Sequence, residues 1–312
     1  MIEKTPSLQA VIMLGRQRWL RNAQPAMTDR HQTATLLVSC PDRRGLVAAL
    51  GQLLYGHGAN ILDADQHTDV AVGQFFQRIC FDTSELHTDR VALETAITDV
   101  AQRFEMHYRL SYGEQTKKVA ILVSKYDHCL HDLLLRQRAG ELRCDIPVII
   151  SNHEDLKGVA ESYGINFVHL PVNAATKLEQ EEKVQELLEQ KQIDLVVLAR
   201  YMQVLSEGFC ERYAQRIINI HHSFLPAFVG GKPYHQAHKR GVKIIGATAH
   251  YATTDLDQGP IIEQDVTRVS HRDSVADLLR KGRDLERMVL ASAVRSHLDD
   301  RILVYGNKTV VF

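Results

Sequence analysis

The sequence predicts an α/β protein: an α+β domain of order β-α-β-β-α-β, followed by a doubly wound, mostly parallel domain. Three observations lead to this prediction. Strand and helix patterns follow one another in that first order between residues 35 and 112, and beyond residue 117 single strands alternate with helices. The continuous apolar run Leu195–Leu198 is typical of a strand covered on both faces. We therefore expect domains at residues 32–113 and 118–312, after an extension at residues 1–31.

Bulk composition indicates a soluble globular protein. Of the 312 residues, 45% are hydrophobic and 24% are charged, and the net charge is −1 with histidine neutral. No basic surface for nucleic acid is therefore expected, and no apolar run approaches the ~18 residues of a membrane span. The 5 cysteines are widely spaced and form no Cys-x-x-Cys pair. This spacing predicts reduced thiols in a cytoplasmic protein and no structural metal site.

Residues 1–31 lack a sustained strand or helix pattern, although residues 10–14 are apolar. That run is short for a signal peptide, and Glu3 interrupts the positive start that such peptides have. A transit peptide is the alternative that the arginines of this segment allow, namely Arg16, Arg18, Arg21 and Arg30. The pattern favours a disordered extension, or an upstream start codon with Met27 as the working one.

The elements of the first domain follow from apolar periodicity. An apolar strand leads through the turn Pro41-Asp42-Arg43-Arg44-Gly45 into a helix that begins at Leu46 and ends at Gly56. Two strands, a second helix and a closing strand are expected at residues 59–67, 74–81, 90–104 and 106–112. One side of the second helix is predicted to be apolar and carries Val91, Ala92, Ile97, Val100 and Ala101.

The strand, the Pro41-Asp42-x-x-Gly45 turn and the helix that follows resemble the ACT domain family. This resemblance implies that the domains pair through their sheets, hence a homo-oligomer, and that an amino-acid effector binds near the first turn. Backbone N–H groups at the start of a helix can receive a carboxylate, and Asp42, Gly45 and Asn60 are the candidate contacts. The alternative is a dimerisation module without a ligand, and the sequence does not separate the two.

Short apolar or β-branched runs predict the strands of the second domain, and 3.6-residue spacing predicts its helices. Strands are expected at residues 119–123, 147–151, 165–170, 195–198, 217–220, 246–251 and 261–269. Helices are expected at residues 128–137, 154–163, 177–190 and 273–297, and a final hairpin turns at Gly306-Asn307. This alternation implies right-handed crossovers and a doubly wound sheet.

Polar side chains lie at the ends of two of these apolar strands. Asn219 and His221 lie at the end of one, and Asp257 lies in the loop after the next. In an open α/β sheet, chemistry gathers outside the carboxyl ends of the strands. An amide can hold a carbonyl oxygen, an imidazole can move a proton, and a carboxylate can orient that ring or a water. Together the three side chains suit attack on an activated one-carbon acyl group.

The motifs around these residues resemble the folate-dependent formyltransferase fold from about residue 118 to residue 312. The Asn-x-His pair and the downstream Asp in a Leu-Asp-x-Gly turn form its general pattern. The longer string from Asn219 to Phe228, followed by Lys232-Pro233-Tyr234-His235-Gln236-Ala237, resembles the formyltetrahydrofolate deformylases in particular. This resemblance implies hydrolysis of 10-formyltetrahydrofolate to formate and tetrahydrofolate, which balances one-carbon folate pools and supplies formate for purine synthesis.

The same resemblance implies a role for each polar residue. Asn219 and protonated His221 stabilise the oxyanion that forms when water attacks the formyl carbon, and Asp257 positions the water and helps to move its proton. His222 is not expected to be catalytic, because in extended backbone its side chain points away from the side of His221. Two loops are implied to contact the folate pterin through Met202, Gln203, Val204, Leu205, Thr253, Thr254 and Asp255.

One loop departs from relatives that act on a phosphorylated acceptor. Residues 124–129 contain no glycine, whereas glycinamide-ribonucleotide relatives carry a glycine-rich phosphate cradle there. The chain also ends at Phe312, without the further domain of methionyl-tRNA formyltransferases. Water is therefore the expected acceptor.

Two alternatives remain: a formyltransferase that uses a small amine acceptor, and a non-catalytic amino-acid-binding regulator. The intact set of Asn219, His221 and Asp257 counts against the regulator. No Gly-x-Gly-x-x-Gly motif opens a helix, so no nucleotide cofactor is expected. No metal is expected either, because no carboxylate completes a helix-borne ligand motif with the histidines of this region.

Overall fold

The computed structural model describes residues 32–227 and 233–312, which divide into two compact units. Expectations for residues 1–31, for Phe228 and for Lys232 lie outside the described residues. Within the described ranges, no helix has both the length and the apolar character that a bilayer span requires.

The N-terminal sheet has the predicted β-α-β-β-α-β order. Its strands are arranged β2-β3-β1-β4. The elements are β1 (Thr33–Pro41), α1 (Leu46–Gly56), β2 (Asn60–Asp69), β3 (Gln74–Asp82), α2 (Arg90–Phe104) and β4 (His107–Tyr112). The edge strand β2 is exposed on both faces along most of its length, from residue 60 to residue 67.

The buried face of α2 differs from the predicted one. Val91 is 72% exposed, whereas Leu93, Ile97 and Ala101 are buried at four-residue spacing. The helix begins directly after Asp89, whose side chain accepts from the backbone of the first turn. The residues of that first turn therefore face solvent, and the apolar stripe starts two residues later than predicted.

The second sheet has seven strands in the order β11-β10-β9-β8-β5-β6-β7. Strands β5 to β9 are parallel, and β10 pairs antiparallel with both β9 and β11. The strands are β5 (Lys117–Val123), β6 (Cys144–Ser151), β7 (Phe167–His169), β8 (Leu195–Leu198), β9 (Ile217–His221), β10 (Ile244–Tyr251) and β11 (Ile261–Arg268). This arrangement confirms the predicted mostly parallel, doubly wound fold.

Helices separate these strands, and a hairpin of β12 (Ile302–Tyr305) and β13 (Lys308–Val311) follows the longest of them. That longest helix begins with a capping box between Ser274 and Asp277 and buries one face against the sheet. The helices are α3 (His128–Arg138), α4 (Lys157–Ser162), α5 (Lys177–Gln190), α6 (Glu207–Arg212), α7 (Pro233–Arg240) and α8 (Val275–Leu298). The two short helices α6 and α7 were not predicted.

Strand β6 begins at Cys144, three residues before the predicted start at Pro147. Pro147 has no backbone N–H to donate to a neighbouring strand, and a proline within a strand therefore indicates an edge strand or a bulge. The register supplies the bulge: Lys118 pairs with Asp145, but Ala120 pairs with Val148, so β6 carries one extra residue there.

The topological switch of the sheet lies between β5 and β8. The chain runs from β5 to β6 and β7 on one side, then returns to place β8 and β9 on the other. Connections on the two sides lead away from each other, which opens a crevice at the carboxyl ends of the strands. The loops after β5, β8 and β9 meet at this crevice.

Candidate active site

Three polar side chains lie on one face of two neighbouring strands. Asn219 and His221 are two residues apart on β9, so they point to the same side of the sheet. His250 on β10 is directly opposite Asn219 in the antiparallel register, which places it on that face too. The pairing of β10 with β11 is irregular between Ala249 and His250, and such bulges often aim a side chain at an active site.

Asp257 reaches the same place from the loop after β10. Its φ is 58°, in the left-handed region that aspartate tolerates better than most residues. The loop returns tightly, because a Cβ on Gly259 would lie 1.8 Å from the Tyr251 carbonyl oxygen. The Tyr251 N–H also donates to the Pro260 carbonyl at 2.9 Å. In this loop, Asp257 Oδ1 lies 3.1 Å from His221 Nδ1.

The contact between Asp257 and His221 sets the electrostatics of the site. Burial alone would raise the pKa of Asp257, but the hydrogen bond from His221 and the nearby imidazoles outweigh it and lower the pKa. Asp257 is therefore ionised at neutral pH and holds Nδ1 of His221. The other ring nitrogen, Nε2, is buried without a hydrogen-bond partner among the described residues. A bound substrate can supply that partner.

His250 orients Asn219 through a single tautomer. Its Nδ1 lies 2.9 Å from the Tyr251 carbonyl oxygen, and because a carbonyl only accepts, Nδ1 carries the proton. Burial lowers the pKa of His250, which keeps Nε2 unprotonated. His250 Nε2 therefore accepts from Asn219 Nδ2 at 3.2 Å. The second N–H of the Asn219 amide is left to donate to a carbonyl oxygen.

These side chains line a pocket of about 660 Å³, a volume typical of small-molecule sites. Asp255 is exposed and lies off the pocket wall, and its carbonyl oxygen instead closes a turn by accepting from Gln258 N–H at 3.3 Å. The other predicted folate contacts do line the pocket, and these are Met202, Gln203, Val204, Leu205, Thr253 and Thr254.

The loop after β8 is held in place by Ser124. Ser124 Oγ donates to Asn152 Oδ1 at 2.7 Å and accepts from the Met202 N–H at 3.0 Å. The Met202 side chain is 53% exposed, so its apolar surface is available to a ligand. The next three backbone N–H groups, of residues 203–205, have no acceptor among the described residues. The loop therefore offers an apolar side chain and free backbone donors together.

His222 lies in the same pocket as His221. The two ring centroids are 5.3 Å apart and both rings line the cavity. The predicted opposite orientation was wrong, because β9 ends at His221 and strand alternation does not extend to the next residue. Burial, followed by the charge of Arg200, lowers the pKa of His222 to about 4. Its ring is therefore neutral at neutral pH.

A second group of polar side chains, here called the Arg200 cluster, lines another part of the pocket and comprises Tyr126, His128, Arg200, Tyr234 and Glu286. Arg200, Tyr234 and Glu286 are buried, whereas Tyr126 is exposed. Glu286 Oε2 lies 2.7 Å from His128 Nε2, and Tyr234 donates to Glu286 Oε1 at 2.7 Å. Arg200 Nε lies 3.5 Å from Glu286 Oε2, and its guanidinium covers the Tyr126 ring at 4.9 Å. Burial would raise the pKa of Glu286, but His128 and Arg200 hold it below its ordinary value.

Close packing against α8 positions Tyr234. A Cβ on Gly282 would lie 2.1 Å from the Tyr234 hydroxyl, so only glycine leaves room for the hydroxyl to reach Glu286. Burial, followed by the charge of Glu286, raises the pKa of Tyr234. Tyr234 therefore stays protonated and acts as a donor.

His128, Cys129 and Glu286 could offer a metal three ligand atoms, which all lie within 4.8 Å of one another. Both oxygens of Glu286 are already hydrogen-bonded. Burial raises the pKa of the Cys129 thiol well above its ordinary value, and the thiol form is a poor ligand. The donor set therefore favours a polar network over a metal centre.

The candidate effector residues lie in the N-terminal domain. Gly45 precedes α1 with a φ of 92°, a conformation that favours glycine, and no side chain caps the helix there. The side chains of Asp42 and Asn60 are exposed. The Asp42 N–H donates to the Gly73 carbonyl at 2.8 Å.

Three polar residues of the pocket were not predicted from the sequence: His250, Arg200 and Glu286. A signal for His250 was present, because Thr248 and His250 alternate with apolar residues on β10 and so mark a polar face. Glu286 lies at helical spacing from buried positions of α8, where a charge is unusual unless it is paired. Arg200 follows the apolar strand β8 directly, but its partners are far away in the sequence.

Two protein families and several full-length proteins match this chain. The ACT domain family matches residues 34–94 and the formyl transferase family matches residues 117–294. A formyltetrahydrofolate deformylase from Synechocystis sp. is 57% identical over 280 residues, which cover 90% of this chain and 98% of that protein. One from Bacillus subtilis is 50% identical over 278 residues, 89% of this chain and 93% of that protein. A crystal structure of a formyltetrahydrofolate deformylase from Pseudomonas syringae aligns with a TM-score of 0.89 at 47% identity, over 96% of this chain and 99% of that one.

The fold and the site together define an enzyme of the formyl transferase class with an N-terminal ACT domain. The ACT match indicates a small-molecule effector. The chain belongs to the formyltetrahydrofolate deformylase family. Membership confirms the resemblance drawn from the Asn219–Phe228 string and from the Pro41-Asp42-x-x-Gly45 turn.

Proposed function

We propose that the chain hydrolyses 10-formyltetrahydrofolate to formate and tetrahydrofolate in the pocket lined by Asn219, His221 and Asp257. One observation carries this assignment: an ionised Asp257 holds His221 Nδ1, which leaves Nε2 for the substrate. Family membership supplies the substrate. In this role the enzyme balances one-carbon folate pools and supplies formate for purine synthesis.

In this mechanism water attacks the formyl carbon. Asp257 accepts a hydrogen bond from the water and aims it at the carbon. The free N–H of Asn219 and the Nε2–H of protonated His221 donate to the formyl oxygen as it gains negative charge. The hydroxyl of the water becomes part of formic acid, which ionises to formate and releases its proton to the solvent. The proton that the water loses passes by way of Asp257 to the leaving nitrogen as the C–N bond breaks.

Two features support water as the acceptor. The loop after β5 contains no glycine that would let backbone N–H groups approach a phosphate. Tyr126 of this loop and His128, the first residue of α3, line the pocket instead. They belong to the Arg200 cluster, which lines this part of the pocket.

The test is formate release from 10-formyltetrahydrofolate by the purified full-length chain, with no amine present. We expect turnover with water alone, and a loss of turnover in His221→Ala. Turnover that appears only after an amine is added would reject hydrolysis and favour a transferase.

For the folate we infer that the pterin lies between the two loops that line the pocket. Met202 packs on the ring and the backbone of residues 203–205 hydrogen-bonds it, which their free N–H groups support. Thr253 and Thr254 form the opposite wall. Asp255 contributes through the turn that its carbonyl oxygen closes rather than through its carboxylate.

We further infer a regulatory domain at residues 32–113 and a catalytic domain at residues 118–312. An amino-acid effector binds at the start of α1 through Gly45, and Asp42 and Asn60 are the further candidate contacts; the uncapped helix start supports this assignment. Calorimetry of the full chain with each common amino acid, repeated on Asn60→Ala, tests it. If no amino acid produces a heat of binding, the assignment of an amino-acid effector to this domain is rejected.

Assembly as a homo-oligomer is supported by β2, an edge strand with both faces exposed. A strand of that kind can pair with a second copy. Light scattering of the full chain tests this, and a monomer at micromolar concentration would reject it. None of the 5 cysteines, all of which lie in the described ranges, forms a disulfide, which supports a cytoplasmic location. The near-zero net charge argues against a nucleic-acid partner.

A further inference from the structure

Arg200 has hydrogen-bonding capacity that the protein does not use. Its side chain is 9% exposed and lines the pocket, and a guanidinium carries five N–H donors. Among the described residues, Nε has no hydrogen-bond acceptor, and no acceptor is found for the terminal N–H groups either. A buried charge with open donors is costly unless a ligand satisfies it.

Glu286 does not supply the missing acceptor. One of its oxygens is 2.7 Å from His128 Nε2 and the other accepts from Tyr234 at 2.7 Å. Arg200 Nε is 3.5 Å from the nearer oxygen, beyond ordinary hydrogen-bond length. Glu286 therefore balances the charge of Arg200 while leaving its donors free.

The orientation of Arg200 is set from two directions. The guanidinium lies over the Tyr126 ring at 4.9 Å, which holds its plane. The backbone of Arg200 has a φ of 63°, an uncommon conformation for a residue other than glycine. Strain of this kind persists where the surroundings hold it and tends to occur at ligand sites.

A carboxylate is the ligand that matches these donors, because its two oxygens accept side by side from a guanidinium fork. Two carboxylates are available in the reaction: formate and the glutamate tail of the folate. Formate has the right size for a buried site, and it forms in this same pocket. His222 lies between the two centres, 5.3 Å from His221 by ring centroids and close enough to Arg200 to respond to its charge.

We propose that Arg200 forms a formate subsite, which receives the product carboxylate after the C–N bond breaks and holds it until tetrahydrofolate leaves. The inference rests on the proposed function, because hydrolysis supplies the formate. It assigns to the Arg200 cluster a binding role separate from that of Asn219, His221 and Asp257.

Sodium formate is the probe. Binding of ¹³C-formate to the full chain is measured by NMR titration without folate, and inhibition of tetrahydrofolate formation by added formate is measured in parallel. We expect Arg200→Lys and Arg200→Gln each to weaken formate binding and inhibition about tenfold or more, because a two-point contact is lost. Arg283→Gln is the matched control. It removes the same charge from an exposed pocket residue and should change formate binding less than about twofold.

Arg200→Gln also leaves Glu286 without its counter-charge, so the double variant Arg200→Gln with Glu286→Gln provides a neutral background. Formate binding at wild-type strength in Arg200→Lys or in the double variant would overturn the subsite, as would the absence of binding to the wild type. Those results leave hydrolysis intact. Formate binding without hydrolysis by the wild type would instead reject the proposed function alone.

The glutamate tail of the folate is the other carboxylate that Arg200 could bind. A formylated substrate that lacks this tail distinguishes it from formate. If Arg200 held the tail, Arg200→Lys would raise KM for the complete folate and leave KM for the tail-less substrate unchanged. We expect Arg200→Lys to affect the two KM values equally, and an effect confined to the complete folate would assign Arg200 to the tail and overturn the formate subsite.

Discussion

Replacing Asp257 by asparagine removes one charge from the site and little else. Asparagine keeps the side-chain shape and tolerates the left-handed backbone at this position, where φ is 58°. Unit charges 3.1 Å apart, the distance from Asp257 Oδ1 to His221 Nδ1, interact by about 5 kcal/mol at an effective dielectric of about 20. That value is a ceiling, and loss of one stabilising group in such a site typically costs about 3–4 kcal/mol.

We therefore expect Asp257→Asn to lower kcat by about 10²–10³-fold. KM and the affinity for tetrahydrofolate should change less than about threefold, because the inferred pterin contacts lie on other residues. The assay is tetrahydrofolate formation at saturating substrate, and the affinity for tetrahydrofolate is measured by calorimetry. Asp265→Asn makes the same chemical change at an exposed position on β11 and should be silent. A kcat within about threefold of the wild type in Asp257→Asn would refute the role given to this carboxylate.

Three further predictions concern two other histidines of the pocket and a glycine that packs against the pocket residue Tyr234. His222 has a pKa of about 4 in the folded chain against an ordinary 6.5, so the unfolded chain binds more protons between these values. Stability is then complete above pH 6.5 and falls by up to about 3 kcal/mol towards pH 4; His222→Asn should flatten this part of the Tm–pH curve. His250→Ala should lower kcat roughly tenfold with little change in KM, because Asn219 loses its orienting acceptor; an unchanged kcat would contradict this. Gly282→Ala should destabilise the fold by about 1–3 kcal/mol in thermal unfolding, because its Cβ meets the Tyr234 hydroxyl. Gly51→Ala, a helical glycine with open space around it, should not destabilise the fold.

Where apolar pattern and fold agree, the sequence was a sufficient guide. The runs that became β5 and β8 are buried throughout or nearly so, and a strand that must be covered on both faces has few other solutions. Asn219, His221 and Asp257 were predicted as the catalytic residues because they lie in short loops or at strand ends within a recognisable string. The structure brings His221 and Asp257 within hydrogen-bond distance.

Other parts depend on contacts between distant residues and were not predictable from local pattern. Helix α6 has only 6 residues, too few for a periodic signal, and α7 is mostly polar. Arg200 lies in the loop after β8, and its ion-pair partner Glu286 lies on α8. Nothing within a short window of sequence indicates that these two charges share one site.

The antiparallel pairing of β9 with β10 ties activity to the fidelity of folding. Asn219 faces His250 only in the native alignment of the two strands. A slip of one residue would turn His250 towards the other side of the sheet, while the backbone ladder could largely re-form. Such a misaligned chain would keep its secondary structure and yet lack an oriented amide. Formate produced per mole of folded protein therefore measures the fraction of molecules in the native alignment, which spectroscopic measures of secondary structure do not resolve.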